Sequence, residues 1–431
     1  MNFPLPSPPA RVTLIAGSAV LAIALCYFGI RGALAAHAFG ADTREGYQRA
    51  VQLEPTDPRN RYFLGRSYLY DFEQADPAMA VQSLRKSVEL DPYSSEAWID
   101  LAVAYESQSD SANARQAYLS ALRVYPLSAG ANWGYGNFLL REDEQEQGFT
   151  FMRRAVEVEP RRSAEAFSRA LRVQPDANLL LDKLLPPSPA AYLPVLRLLS
   201  DSGDLDNAQR VWGRLVELGQ KVPTREISKF FEAMLYQGRV ADANRLWPEA
   251  VGIMQNAPPP DPAGSLVWDG GFESGYLGWG FAWLPRPTSQ DTQMSLDRGE
   301  KHSGEQSLRI LFDGRVNIDF EDCCHIVATE AGKRYVLSGW IKTQSLTSSE
   351  GLRLQIFARN PRKNDWARTD EVHGTQEWKQ IQMEWTAPAG TEFATICARR
   401  LMSDKPESNI QGAAWIDDVS LIPVEEAGAK P

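Results

Sequence analysis

SEAWIDLAVAYESQSDSANARQAYLSALRVYP, residues 95–126, decides how the first part of this chain folds. Trp98, Leu101, Ala102 and Tyr105 fall three or four residues apart or adjoin, and after a polar break Ala114, Tyr118 and Ala121 do the same. That spacing puts each set on one face of a 3.6-residue helix, so the stretch reads as two helices joined by a turn. Pro126 ends the second helix, because it has no N–H to donate and its ring clashes with the preceding turn. The ending recurs. YQRAVQLEP, LRKSVELDP, YLSALRVYP and MRRAVEVEP close at Pro55, Pro92, Pro126 and Pro160, at intervals of 37, 34 and 34 residues. Small residues hold one position in three units (Ala80, Ala114, Gly148), where the two helices must approach closely. A period of this length marks a solenoid of stacked helical hairpins.

The positions Trp98, Leu101, Ala102, Tyr105, Ala114, Tyr118, Ala121 and Pro126 resemble the tetratricopeptide repeat, and residues 43–180 are assigned to it. The register breaks after Pro160: SAEAFSRALRVQP repeats the second-helix pattern but closes only fifteen residues later, at Pro175, so a first helix is expected to be missing. Residues 186–255 read as degenerate hairpins of the same kind, with Gly203 and Gly238, Ala208 and Ala243, and Trp212 and Trp247 in correspondence. Aromatic residues at helical spacing are expected to pack between hairpins. The resemblance implies a groove for a protein partner and no reactive centre.

Composition agrees with a non-catalytic part. The chain has 431 residues, 45 basic against 55 acidic, and a net charge of −10. This balance argues against a nucleic-acid partner. The four histidines (His37, His302, His325, His373) never lie within one helical turn of each other, and the four cysteines form no CxxC pair. Residues 41–260 carry −5 and residues 261–431 carry −7, while residues 1–40 carry +2.

After a short tail (1–10), residues 11–31 read as a transmembrane anchor. VTLIAGSAVLAIALCYFGI (12–30) is nineteen residues without a charge between Arg11 and Arg31, close to the ~20 needed to cross a bilayer. A cleaved signal peptide is the alternative, since Ala33-Leu34-Ala35 and Ala36-His37-Ala38 both fit a small-residue cleavage site. Either reading places the rest outside the cytoplasm, and a single-pass protein of a bacterial inner membrane facing the periplasm is expected.

A Pro-rich linker (256–263) precedes a region where helical periodicity gives way to strands, among them YVLSGWIKT (335–343), LRLQIFA (352–358), WKQIQMEWTAP (378–388), FATICARR (393–400) and AAWIDDVSLI (413–422). Many short strands separated by turns predict an antiparallel β-sandwich over 264–423, followed by a tail at 424–431. DGGFESGYLGW (269–279), HSGEQSLRI (302–310), the AGKRYVLSGWIKT segment (331–343), EWKQIQMEWTAPAG (377–390) and WIDDVSL (415–421) together look like the jelly-roll carbohydrate-binding modules of the galactose-binding-domain-like type. The expected fold is thus multidomain: one N-terminal transmembrane helix, an all-α tetratricopeptide-like solenoid and an all-β jelly roll.

That resemblance implies a structural calcium held by Glu273 and by Asp417 or Asp418, only one of which faces the site if both lie on a regular strand. It also implies a glycan ligand. Eight of twelve tryptophans lie in this domain. Trp340, Trp385 and Trp415 sit in strand patterns and are assigned to the core. Trp283, and Trp366 with Arg359 and Asn364, lie in polar or turn-rich sequence and are the sugar-binding candidates. In an oxidising compartment one of Cys323 and Cys324 can bridge to Cys397, with Cys324–Cys397 the chosen pairing. The expected function is a non-enzymatic, membrane-anchored envelope scaffold that joins a protein partner to a polysaccharide, as an accessory to exopolysaccharide or surface-glycan assembly. The alternative is a purely structural subunit whose β-domain binds no sugar.

Overall fold

The computed structural model describes residues 8–255, 257, 264–275, 278–286, 291–360, 363–405 and 408–424. The tails at 1–10 and 424–431 and the linker at 256–263 lie mostly outside these, as do the side chains of Arg359 and Asn364. The chain forms two compact units, 1–191 and 192–431.

The first unit is helical: α1 (Pro8–Phe39), α2 (Arg44–Leu53), α3 (Pro58–Leu69), α4 (Pro77–Leu90), α5 (Ser95–Ser107), α6 (Ser111–Val124), α7 (Ala129–Arg141), α8 (Gln145–Val158), α9 (Ser163–Leu171) and α10 (Ala177–Lys183). The starts are written in the sequence. Asp57 and Asp76 stand before Pro58 and Pro77 and accept from the amides of Arg59 and of Ala78 and Met79. Ser94, Asp110 and Ser128 cap α5, α6 and α7 in the same way. Each cap satisfies an N–H that the helix leaves unpaired. Ala80 and Ala114 are fully buried between paired helices. A Cβ on Gly65 would come within 2.5 Å of Leu84, and one on Gly136 within 2.6 Å of Met152, so these crossings need glycine.

The break after Pro160 differs from expectation. A short 3-10 turn, Pro160–Arg162, leads directly into α9. Arg169 on α9 donates to Asn137 Oδ1 on α7 (3.1 Å), and the guanidinium groups of Arg162 and Arg169 lie 5.3 and 5.4 Å from the ring of Trp133, also on α7. SAEAFSRAL therefore packs against the preceding first helix, as the first helix of the next hairpin does. The seven-residue α10 follows it as a shortened second helix.

The second unit begins with α11 (Pro189–Ser202, which straddles the division), α12 (Leu205–Glu217), α13 (Thr224–Tyr236) and α14 (Val240–Ile253). Gly203 and Gly238 both take φ +77° at the hairpin turns, a left-handed backbone that suits glycine. Trp247 on α14 packs edge-on against Trp268, Trp279 and Phe281 at 5.2–5.7 Å between ring centres, so these helices share a core with the strands that follow.

Among the described residues, ten strands form two five-stranded antiparallel sheets, ordered β1-β4-β9-β6-β7 and β2-β3-β10-β5-β8. They are β1 (Trp283–Pro285), β2 (Thr292–Asp297), β3 (Ser307–Asp313), β4 (Phe320–Ala328), β5 (Arg334–Leu346), β6 (Arg353–Asn360), β7 (Lys363–Arg368), β8 (Gly374–Thr386), β9 (Phe393–Arg400) and β10 (Gln411–Pro423). Alternate residues such as Leu337, Ile341, Leu354, Ile356, Ile396 and Ile416 fill the space between the sheets. Trp385 joins that core; Trp415 is buried as well, at 4% exposure, but outside that cluster, and Trp340 is only half-buried. Tyr335, Leu337 and Ile341 point inward, so the two-residue alternation sends Trp340 to the outer surface of its sheet, and Trp415 is paired with Lys342 on that same surface. Hydrophobic character placed them in strands, and phase decided the side.

Candidate ligand face and cation position of the sandwich

Strand alternation also fixes what the first sheet shows to the outside. Leu354, Ile356, Ala358, Ala394, Ile396 and Ala398 face the core. The intervening residues therefore face out: Arg353, Gln355 and Phe357 on β6, Thr395, Cys397 and Arg399 on β9, and Trp366 and Arg368 on β7. Register joins them into rows, with Trp366 beside Phe357 and Thr395, and Arg368 beside Gln355 and Cys397. Arg359 and Asn364 are paired one step farther along the β6–β7 hairpin. The row through Gln355 ends in a disulfide, because Cys324 on β4 lies directly opposite Cys397 and is bonded to it.

Trp366 is 56% exposed and is the one tryptophan among the exposed large hydrophobic side chains. The guanidinium of Arg368 lies 3.7 Å from its ring centre, and Arg368 Nε donates to Gln355 Oε1 (2.6 Å). Burial, together with the nearby charges of Arg399 and Arg353, lowers the Arg368 pKa. Arg353 is paired with Glu350 (2.7 Å) and with Glu371, and Arg399 with Asp319 (2.8 Å) and Glu321 (3.7 Å). Arg368 has no carboxylate at ion-pair distance among the described residues. Residue-type reasoning singled out Trp366 and passed over Arg368 and Gln355; the missing signal was strand phase, which sets Arg368 two residues from Trp366 on one side.

Trp283 does not belong to such a face. It is 1% exposed, its ring stacks on Phe272 at 4.6 Å, and its indole N–H donates to the Asp269 carbonyl (2.9 Å). The turn-rich sequence around it hid a strand, β1, that turns the indole into the core.

The acidic residues gather elsewhere. Glu273 Oε1 accepts from the amides of Glu305 (2.9 Å) and Gln306 (3.4 Å), and a Cβ on Gly304, at φ +61°, would strike it. Asp417 Oδ2 accepts from the amides of His302 (2.7 Å) and Ser303 (3.1 Å), and its Oδ1 from the Asp418 amide (2.8 Å). Asp418 takes the Ser303 hydroxyl (2.7 Å) and His302 Nδ1–H (2.6 Å). Both aspartates thus grip one loop, contrary to strict alternation. The β10 register shifts between Asp417 and Ser420, and Asp418 sits at φ 48°, a bulge that swings both side chains to one side. Burial raises the Asp417 pKa to about 6 against the loop amides, which lower it. Above this loop the His302 ring stacks on Trp340, 3.8 Å between centres and 15° from parallel.

Hard oxygen donors suit calcium chemically. Asp417 has both oxygens held by backbone N–H groups, which cannot turn away, whereas the Ser303 hydroxyl and the His302 ring on Asp418 can; the three carboxylates do not each bring an oxygen within 4.8 Å of the others. Glu273 and Asp418 are the residues here whose chemistry fits a cation, and Asp417 acts as the loop's anchor. Glu321, Cys324 and Cys397 do cluster, but both sulfurs are already bonded to each other. His325 is fully buried, which lowers its pKa to about 4, and its Nε2 lies between the Trp268 N–H (3.2 Å) and carbonyl (3.1 Å), accepting from the first or donating to the second according to its tautomer. It packs as a neutral core residue. Burial likewise pushes Cys323 up to about 12, so it is no nucleophile.

The comparisons with known proteins fall on these two architectures. A model of the carbohydrate binding domain matches residues 264–396, and one of the tetratricopeptide repeat matches residues 69–129 and 99–157. The chain joins tetratricopeptide repeats to a carbohydrate-binding-module-like sandwich. Both are non-catalytic kinds of module. Among solved structures, MamA is 20% identical, with a TM-score of 0.28 over 40% of this chain and 85% of MamA. The CBM22-1 xylan-binding domain of Paenibacillus barcinonensis Xyn10C is 13% identical, with a TM-score of 0.27 over 39% of this chain and all of that domain (100%). A carbohydrate-binding module solved with β-1,4-galactotriose, TmCBM61, is 17% identical, with a TM-score of 0.26 over 37% of this chain and 99% of the module. No curated protein matches the chain.

Proposed function

We propose that this protein is a non-enzymatic scaffold tethered to the membrane, whose repeats hold a protein partner and whose sandwich binds a glycan on the outer face of β6, β7 and β9. The observation that carries the glycan reading is Trp366. A large, exposed indole offers the ring area that Arg368 leaves open as an apolar plate for sugar C–H groups, and the Arg368 guanidinium, steadied by the buried Gln355, offers planar donors for hydroxyls. On the opposite sheet Trp415 is buried and donates to Asp297 Oδ2 (2.9 Å), while His302 stacks on Trp340 and meets Trp378 edge-on at 5.8 Å. A role as accessory to exopolysaccharide or surface-glycan assembly fits a module that holds polymer near a bilayer.

Retention of the anchor rests on where α1 ends. Arg11–Phe39 is one helix of mean hydropathy 2.1 in its most apolar window, with that window fully exposed. Past the apolar part, the same helix becomes a repeat helix. Ala35 is 1% exposed, Phe39 meets Tyr47 and Phe63 edge-on at 5.3 and 5.1 Å, and Arg31 Nε donates to the Leu53 carbonyl. Cleavage after Ala35 or Ala38 would strip the first hairpin of its partner helix and bare Tyr47, Val51 and Phe63. A structural calcium, held by Glu273 and Asp418, would neutralise charge at the β10 bulge and supply no chemistry beyond that.

Affinity electrophoresis of the full chain in detergent against a panel of soluble polysaccharides tests the glycan reading. At least one polymer is expected to retard it, and Trp366→Ala to weaken that retardation. If no polymer acts, or the variant behaves as wild type with every polymer, the sandwich is a protein-interaction module instead.

A further inference from the structure

The β6–β7 hairpin departs from its surroundings in charge. Residues 353–368, RLQIFARNPRKNDWAR, hold five basic residues and one acidic one, within a region (261–431) that carries −7 overall. The one acid, Asp365, shares the side of Ala367, which packs against the core, and so lies on the opposite side of β7 from Trp366 and Arg368.

Three guanidinium groups occupy the outer face itself. Arg353 and Arg399 stand directly opposite each other across β6 and β9, an arrangement that like charges disfavour. Each is neutralised by two carboxylates: Glu350 and Glu371 for the first, Asp319 and Glu321 for the second. Arg368, beside them, has no carboxylate at ion-pair distance among the described residues, and Asp319 and Glu321 act on it only from farther away. Its only described hydrogen bond runs from Nε to Gln355, which leaves the Nη groups to accept a partner from solution. The fork is also held in place, because the plane of Trp366 lies under it at 3.7 Å. A guanidinium whose terminal N–H groups have no partner among the described residues, fixed on an aromatic plate, is suited to a planar anion that it can grip with two hydrogen bonds.

We infer that the glycan taken by this face is acidic, a polymer containing uronic acid residues, with the sugar ring lying along Trp366 and its carboxylate received by Arg368. This rests on the glycan reading proposed above and adds to it the chemical class of the ligand. A neutral chain would leave the Arg368 fork without the charge its setting favours. The requirement is for a flat carboxylate beside a pyranose ring, which a uronate supplies in one residue.

The test compares one polymer in two forms: polygalacturonate, and the same material with its carboxyl groups reduced to alcohols. The full chain in detergent is expected to be retarded by the acidic form at least about tenfold more strongly than by the reduced form, since hydrogen bonds to charged groups exceed neutral ones by about that factor. Added salt is expected to weaken the difference. Arg368→Gln should cost about tenfold on the acidic polymer and clearly less on the reduced one, which loses only a neutral hydrogen-bond donor, while Arg368→Lys should recover part of the loss. A thermal melt of each variant separates lost binding from lost fold. Equal binding of the two forms, or wild-type affinity in Arg368→Gln, overturns the inference. If in that case Trp366→Ala still abolishes binding, the glycan reading stands and only its acidic character falls. If neither polymer is bound and Trp366→Ala changes nothing, both fall. Retention by inorganic polyphosphate with none by polyuronate likewise overturns it, as it identifies a bare anion site.

Discussion

Arg400 offers the sharpest test of how the sandwich is held together. Its side chain is fully buried at the C-terminal end of β9 and has no carboxylate at ion-pair distance among the described residues; burial lowers its pKa. The guanidinium instead donates to Asn317 Oδ1 (2.8 Å), Ser348 Oγ (2.8 Å), the Ser408 carbonyl (2.7 Å) and the Ile318 carbonyl, with a longer bond from Nε to the Glu350 carbonyl (3.5 Å). One cation thus pins three connections at one end of the two sheets. Arg400→Met keeps most of the volume and removes the donors. Two effects then oppose. Burying an unpaired charge costs several kcal/mol, and the variant is relieved of that cost. Against this, five acceptors lose their donor, at about 1–3 kcal/mol for each one that water cannot reach. Ser348 is buried at 2% exposure and bears the full penalty, whereas Asn317, Ile318 and Ser408 are half-buried and rehydrate in part. We expect the acceptors to win by ~2–4 kcal/mol, in the range seen when a buried network is broken. Denaturant unfolding followed by tryptophan fluorescence measures the loss, and hydrogen exchange should localise it to 313–318, 346–350 and 408–410. Arg400→Lys, with three donors and no fork, should lie between the two. A variant within ~0.5 kcal/mol of wild type, the size of an ordinary surface change, would refute the reasoning and assign the dominant role to desolvation.

Acid should destabilise the sandwich through His325. Its pKa is about 4 when folded against 6.5 for the free side chain, so the unfolded chain binds the proton first. Stability is therefore complete above about pH 6.5 and falls toward pH 4, by up to ~3 kcal/mol; a melting temperature flat across that window would contradict this. Reducing the Cys324–Cys397 bond, or replacing Cys397 by Ser, should cost about 4 kcal/mol, the loop-closure value for the 73-residue separation. Cys323→Ser should leave the bridge intact by mass spectrometry. Chelator should lower the melting temperature of the full chain and Glu273→Gln should abolish that response; melts unchanged by chelator and by added calcium would rule out the cation.

Much of the fold was legible because the signals were periodic. The proline-terminated units at 34-residue spacing carried the repeats, and alternation with turn residues carried the strands. Each misreading came from something sequence period does not encode. SAEAFSRAL looks like a second helix, but its place depends on Arg169 reaching Asn137 across the hairpin. Trp340 reads as core because it is a tryptophan in a strand, and only the phase set by Leu337 and Ile341 turns it outward, whereas Trp415 on that same side is buried all the same. Asp417 and Asp418 read as opposed, and one bulge with a left-handed residue undoes that. Trp283 looked exposed because its strand is three residues long. The Arg368–Trp366 pair was half visible: the indole stood out, and its partner needed the register.

The continuity of α1 has a mechanical consequence. Residues 8–39 form one unbroken helix, and its last third is also the first helix of the first hairpin. A helix has no swivel. With the apolar part of α1 in a bilayer, as proposed, a load applied to the first hairpin would be delivered to the lipid as a torque on a rigid lever, without slack to absorb it. Tilt of the span in a thicker or thinner bilayer would re-aim that hairpin by the same angle.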